Sequence, residues 1–123
     1  MQKKVLVVED HPDTHSVLLL MIERWGFEVV GARNGREAMA VIEASDFDLM
    51  VVDMAMPLMD GFELAKRVRA RSQSKNTPIL AVTALDAPED RDRCLEAGCN
   101  DYLPKPFSFD DLKARIEALL AGK

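Results

Sequence analysis

The sequence predicts an α/β domain in which a parallel sheet is covered by helices on both faces. Short apolar runs alternate with segments of helical spacing along the whole chain, an order that implies a parallel sheet with right-handed crossovers. The runs are almost continuously apolar, as in VLVV, LMVV and ILAV, which suits strands buried on both sides. Residues capable of chemistry then collect where runs end: Glu9-Asp10, Asp53, Thr83 and Lys105. Ligands of open α/β sheets bind at that edge, outside the carboxyl ends of the strands.

Each element has its own signal. Lys4 to Val8 is a β-branched run, and Pro12 suits the first turn of a helix carrying Val17, Leu18, Leu20, Met21, Ile22 and Trp25. Gly26 caps that helix. Phe27 to Val30 is the second strand, and Asn34 is a good N-cap for a helix through Ala38, Met39, Val41 and Ile42. Leu49 to Val52 is the third strand. After a loop with Pro57 and Gly61, helical spacing returns at Phe62, Leu64, Ala65 and Val68, and RSQSKNTP reads as a loop. Ile79 to Val82 is the fourth strand, and Pro88 to Ala97 is a polar, weakly patterned helix stopped by Gly98. Tyr102-Leu103 is a brief fifth strand. In the last helix Ser108 with Asp111 resembles a capping box, and Leu112, Ile116, Leu119 and Leu120 form the apolar stripe.

Size and composition narrow the function. A chain of 123 residues has a one-domain length and buries roughly two-thirds of its unfolded surface, so no metal or disulfide scaffold is required for folding. With no internal repeat, low-complexity tract or linker, residues 1–123 are expected to form a single domain. A formal net charge of -5 argues against nucleic acid as a direct partner, because phosphate backbones are bound by clustered Lys and Arg. No apolar run approaches the roughly 18 residues of a membrane span, and MQKKVLVVED is too short in apolar residues for a signal peptide. A soluble, cytoplasmic protein is expected. Cys94 and Cys99 lack the second ligand pair of a zinc site. Both read as reduced structural thiols, with Cys99 a candidate for exposure. His11 and His15 read as exposed or capping residues.

Three carboxylates that converge at one edge repel one another, and a divalent cation removes the conflict. Magnesium fits best, since it prefers oxygen ligands, takes one or two carboxylates and leaves a position for a phosphate oxygen. Calcium and manganese are compatible with the same donors. An Asp in this setting can also act as a nucleophile and accept a phosphoryl group, after which transfer depends mainly on positioning and charge stabilisation.

These residues fall within longer matching segments: VLVVED at Val5 to Asp10, DLMVVDMAMPLMDG at Asp48 to Gly61, PILAVTA at Pro78 to Ala84 and AGCNDYLPKPF at Ala97 to Phe107. In order and spacing they resemble the receiver domain of bacterial two-component response regulators over nearly the whole chain. The resemblance implies a flavodoxin-like, doubly wound (βα)5 fold with strand order 2-1-3-4-5. It implies that Asp53 is the phosphoacceptor and that Glu9, Asp10, Asp53 and the backbone carbonyl of Ala55 hold Mg2+. Lys105 would pair with the phosphoryl group, Thr83 would hydrogen-bond it on switching, and Tyr102 would be the switch aromatic. The same resemblance implies a cis Lys105-Pro106 bond, which turns the Lys toward the site. The phosphodonor would be a histidine kinase or phosphotransfer protein, and the downstream protein target would meet the face of the fourth helix, fifth strand and fifth helix. Beyond its own phosphorylation and dephosphorylation the protein is expected to catalyse nothing. Ala55 and Leu85 flank the phosphoryl group in this family, and neither side chain can hydrogen-bond a water, so slow self-dephosphorylation is expected.

Two readings from other classes compete. A haloacid-dehalogenase-type phosphatase also uses a strand-end Asp and magnesium, but it needs a second acid two residues later, where this chain has Ala55. A flavin mononucleotide carrier needs Ser, Thr or Gly donors after the first strand, where EDHPDT would repel a phosphate. Within the family, the chain could be a receiver cut from a larger regulator or hybrid kinase; Met1 and the lack of a linker after Leu120 favour a stand-alone domain.

Overall fold

The computed structural model describes residues 2–56, 59–84 and 88–122. Among the described residues ten elements follow in strict alternation: β1 (Lys4–Val8), α1 (Pro12–Arg24), β2 (Glu28–Ala32), α2 (Gly35–Ala44), β3 (Leu49–Asp53), α3 (Gly61–Ala70), β4 (Ile79–Thr83), α4 (Pro88–Ala97), β5 (Asp101–Pro104) and α5 (Phe109–Ala121). The strands form one parallel sheet of order β2-β1-β3-β4-β5. The order reverses between β1 and β3, which opens a crevice between their carboxyl ends.

Side chains alternate across a strand, and here both sets are apolar. Leu6, Val8, Met50, Val52, Ile79 and Ala81 face one core with Ala38, Ile42, Leu64, Val68, Cys94 and Ala97 from α2, α3 and α4. Val5, Val7, Leu49, Val51, Leu80 and Val82 face the other, with Leu18 and Ile22 of α1 and Leu112 and Ile116 of α5. Fully burying one such side chain contributes about 1.5–3 kcal/mol.

Helix ends follow the sequence signals. His11 caps α1 by accepting from the Thr14 N–H, Asn34 caps α2 through the Glu37 N–H, and Ser108 caps α5 through the Asp111 N–H. Gly26 and Gly98 adopt φ of +97° and +114°, the left-handed region that glycine enters without penalty. The Lys105-Pro106 bond is cis, as the resemblance implied.

Several expectations need correction. β2 runs to Ala32 rather than ending at Val30, because it pairs with β1 along its whole length, Gly31 with Val7 and Ala32 with Val8. β5 extends to Asp101 and Pro104 through pairing with Leu80 and Thr83. Val17 and Leu20 are exposed, since α1 meets the sheet along the Leu18–Ile22 line. Trp25 is the C-cap of α1. Cys99 is buried, drawn under α4 by the bond from its N–H to the Cys94 carbonyl. Burial pushes the two thiols up, Cys94 to about 11 and Cys99 to about 12.

Candidate metal centre at the carboxyl edge of the sheet

Strand register assembles the site. Val8 pairs with Val52, so Glu9 and Asp53 leave the sheet side by side. Asp53 pairs with Val82, one residue before Thr83, and Thr83 pairs with Pro104, one residue before Lys105. Four strand ends thus bring Glu9, Asp53, Thr83 and Lys105 into one row. The Lys105 N–H donates to the Thr83 carbonyl at 2.8 Å, which holds the last member at the end of β4.

Glu9, Asp10 and Asp53 each offer a carboxylate oxygen, all within 4.8 Å of one another. Glu9 and Asp53 are buried and Asp10 is half-buried. Lys105 donates to Glu9 Oε1 at 2.6 Å and to Asp53 Oδ2 at 3.2 Å. The Ala55 N–H donates to Asp53 Oδ1 at 2.9 Å and the His11 N–H to Glu9 Oε2 at 3.1 Å. Asp53 is therefore held by one donor on each oxygen.

The charge balance is uneven: three carboxylates face one ammonium. Burial, reinforced by the neighbouring Asp53 carboxylate, pushes the Glu9 carboxyl above its ordinary value against the opposing pull of Lys105. Burial also works to lower the Lys105 ammonium, but the hydrogen bond to Glu9 and the charges of Asp53 and Glu9 outweigh it and raise the group. One ammonium cannot neutralise three acids, and the surplus negative charge with its convergent oxygens is the donor set that a hard divalent cation takes.

The remaining expected site residues have definite places. Thr83 is buried at the end of β4, and Ala55 is exposed in the turn after β3. Tyr102 is half-buried and packs at the margin of the core beneath α4; its carbonyl accepts from Arg115 Nη1 at 2.7 Å. Leu85 lies outside the described residues. His15, read as exposed or capping, is buried, with Nδ1 3.0 Å from the Glu9 carbonyl oxygen. That contact places it directly behind the acidic pair.

The family model for the response regulator receiver domain matches residues 5–117. The chain belongs to this receiver-domain family. It is 40% identical over 120 residues to the alkaline phosphatase synthesis transcriptional regulatory protein PhoP of Bacillus subtilis, covering 98% of this chain and 49% of that protein. The chain spans about half the length of this and the other curated transcriptional regulators that it matches. Among solved structures, a putative response regulator from Chloroflexus aurantiacus superposes with a TM-score of 0.94 at 36% identity, over 98% of this chain and 99% of that one. The receiver domain of a sensor histidine kinase from Pseudomonas aeruginosa, which holds a magnesium ion in its active-site cleft, superposes with a TM-score of 0.91 at 31% identity, over 98% and 99% of the two chains. Receiver domains are signalling switches of two-component systems rather than conventional enzymes. The flavodoxin-like strand order agrees with that family, and the absence of an acid at Ala55 leaves the phosphatase reading without its general acid. Among the described residues, no helix is long and apolar enough to cross a membrane.

Proposed function

We propose that Asp53 is the phosphoacceptor of this receiver and that residues 1–123 form one cytoplasmic switch domain. The observation that carries the reading is the double restraint on the Asp53 carboxylate, by the Ala55 N–H and Lys105 Nζ, beside the Glu9-Asp10 pair. Glu9, Asp10, Asp53 and the Ala55 carbonyl would hold Mg2+, and Mn2+ would satisfy the same oxygens. The bound cation supplies charge neutralisation for the transferring phosphoryl oxygens.

Asp53 is oriented for attack by its two donors, and burial among β3 and β4 excludes bulk water from its inner side. A histidine kinase or phosphotransfer protein presents a phosphorylated imidazole. An Asp53 oxygen forms a bond to phosphorus as the phosphorus–nitrogen bond breaks, and the electron pair leaves with the imidazole. Lys105 stays within reach of the new phosphoryl group because the Thr83 carbonyl holds its backbone. The Thr83 hydroxyl then hydrogen-bonds the group, Tyr102 moves inward, and the α4-β5-α5 face changes. A downstream protein binds there; with a net charge of -5, nucleic acid is not a direct partner.

Labelling by acetyl phosphate or a phosphorylated kinase tests this assignment. Wild type should label in a magnesium-dependent manner and Asp53→Asn should not; undiminished labelling of the variant sinks it. The lifetime of the acyl phosphate gives a finer test. Ala55→Asn with Leu85→Glu should shorten the half-life about 10-fold, which corresponds to about 1.4 kcal/mol of barrier. An unchanged half-life would show that water reaches the acyl phosphate by another route.

A further inference from the structure

We infer that His15 is a positioning residue for the metal-binding loop and that Gly31 is the notch that seats it. The inference rests on the reading of Glu9 and Asp10 as metal ligands, and goes beyond it by naming what holds them in place.

His15 lies in the first turn of α1 and is only 7% exposed. Its Nδ1 is 3.0 Å from the Glu9 carbonyl oxygen. A carbonyl can only accept, so Nδ1 carries the hydrogen and donates. The Glu9 N–H meanwhile donates to the Ala32 carbonyl at 3.0 Å. Both polar groups of the Glu9 backbone are thus fixed, one by the end of β2 and one by the His15 ring. The Glu9 carbonyl and the Asp10 N–H share one planar peptide unit, so fixing the carbonyl sets the direction in which Asp10 leaves the strand. His15 acts on both acids without lying in the oxygen cluster that they form with Asp53.

The far edge of the ring explains a residue in β2. A Cβ at Gly31 would lie 2.5 Å from His15 Nε2, 2.8 Å from Cε1 and 3.2 Å from Leu19 Cδ1. Real side chains do not approach so closely, and the ring cannot retreat without releasing the Glu9 carbonyl. Glycine inside a strand often marks a close approach of this kind. Here the imidazole is wedged between the end of β1 and the next-to-last residue of β2, at a position that presents no carboxylate to the site.

Groups that orient metal ligands from behind usually change affinity by about 10–100-fold when removed. Mg2+ titration calorimetry on the full chain reads the effect, with urea denaturation in the absence of metal as the separate measure of folding. His15→Leu keeps the apolar bulk and removes the donor, and it should weaken Mg2+ binding about 10-fold. His15→Asn places an amide donor near the Nδ1 position and should recover most of that loss, whatever its effect on urea stability. Gly31→Ala, which leaves every acid and His15 itself in the chain, should weaken Mg2+ binding in the same direction; it carries the comparison if His15→Leu does not fold. Faster amide exchange at Asp10 in the metal-free His15→Leu protein would add support. Wild-type Mg2+ affinity in a folded His15→Leu or Gly31→Ala protein overturns the positioning role while leaving the acid cluster intact. Failure of wild type itself to bind Mg2+ would overturn the metal reading on which the inference rests.

Discussion

At the amino end of the sheet Arg69 donates to four acceptors: from Nε to the Gly98 carbonyl at 3.0 Å, from Nη1 to the carbonyls of Ser74 at 3.3 Å and Thr77 at 2.7 Å, and from Nη2 to Asn100 Oδ1 at 2.8 Å. At the carboxyl end Lys105 reaches two of three clustered carboxylates. Both sites tie several strands and loops together through one basic residue. They differ in balance. The Arg69 site matches a fork of donors to neutral oxygens, and it pins α3 to the segments that precede β4 and β5. The Lys105 site leaves negative charge in excess, which under the proposed function a cation and a phosphoryl group complete. One end of the fold is balanced by folding alone, whereas on the proposed function the other is balanced by its ligands.

Substitution at each end should separate the two roles. Arg69→Ala strands several partly buried acceptors at once, and the loss should be about 2–3 kcal/mol in urea denaturation, with Mg2+ affinity unchanged. A matching fall in Mg2+ affinity would show that the two ends are coupled through the sheet. Magnesium should do the converse. At a concentration of 100 times Kd it should raise stability by about 2.7 kcal/mol, and Asp10→Ala should remove most of that gain while leaving the metal-free stability close to wild type. If Asp10→Ala keeps the full magnesium gain, Asp10 is not a ligand.

A smaller effect concerns neither end. Cys94, on α4, and Cys99, just after it, lie in the core, and their thiols are raised from an ordinary 9.0 to about 11 and about 12. In the unfolded chain they ionise first, so the unfolded state binds fewer protons above pH 9. Their contribution is fully present below that pH and is lost as pH rises through the folded values. Stability should fall by up to about 1.4 kcal/mol per thiol for each pH unit across that window, and Cys94→Ala with Cys99→Ala should flatten the slope. An equally steep slope in the double variant would assign the loss to other groups. The smallest expected effect is on Trp25. It caps α1 after 13 helical residues, about 20 Å from the acidic edge at 1.5 Å per residue, so magnesium should leave its emission nearly unchanged. Strong quenching would mean that the metal binds elsewhere.

The sequence made the carboxyl edge legible because its residues follow apolar runs directly, and parallel pairing puts consecutive strand ends into one row. Glu9, Asp53, Thr83 and Lys105 could be placed by counting from Val8, Val52, Val82 and Leu103. The amino end was not legible in the same way. Arg69 sits in RVRARSQSKN among other basic residues, and nothing local distinguishes the one whose acceptors lie 5 to 31 positions away. His15 was missed for a related reason: its partners are a backbone carbonyl and the empty side of Gly31, neither of which has a side-chain pattern. A glycine inside the strand segment EVVGA was the available signal. Helix faces were the other error. Val17, Leu18, Leu20, Met21 and Ile22 crowd too many apolar residues into α1 to fix which stripe is buried, and only Leu18 and Ile22 among them reach the core.

Direct chemical mapping of the modified residue tests the central claim most sharply. Wild-type protein is treated with acetyl phosphate and Mg2+, the acyl phosphate is reduced with borohydride, and peptides are sequenced by mass spectrometry. The expected product is homoserine at position 53 alone, absent when magnesium is withheld. Homoserine at another aspartate, or an unmodified Asp53 in protein that carries label, would contradict it.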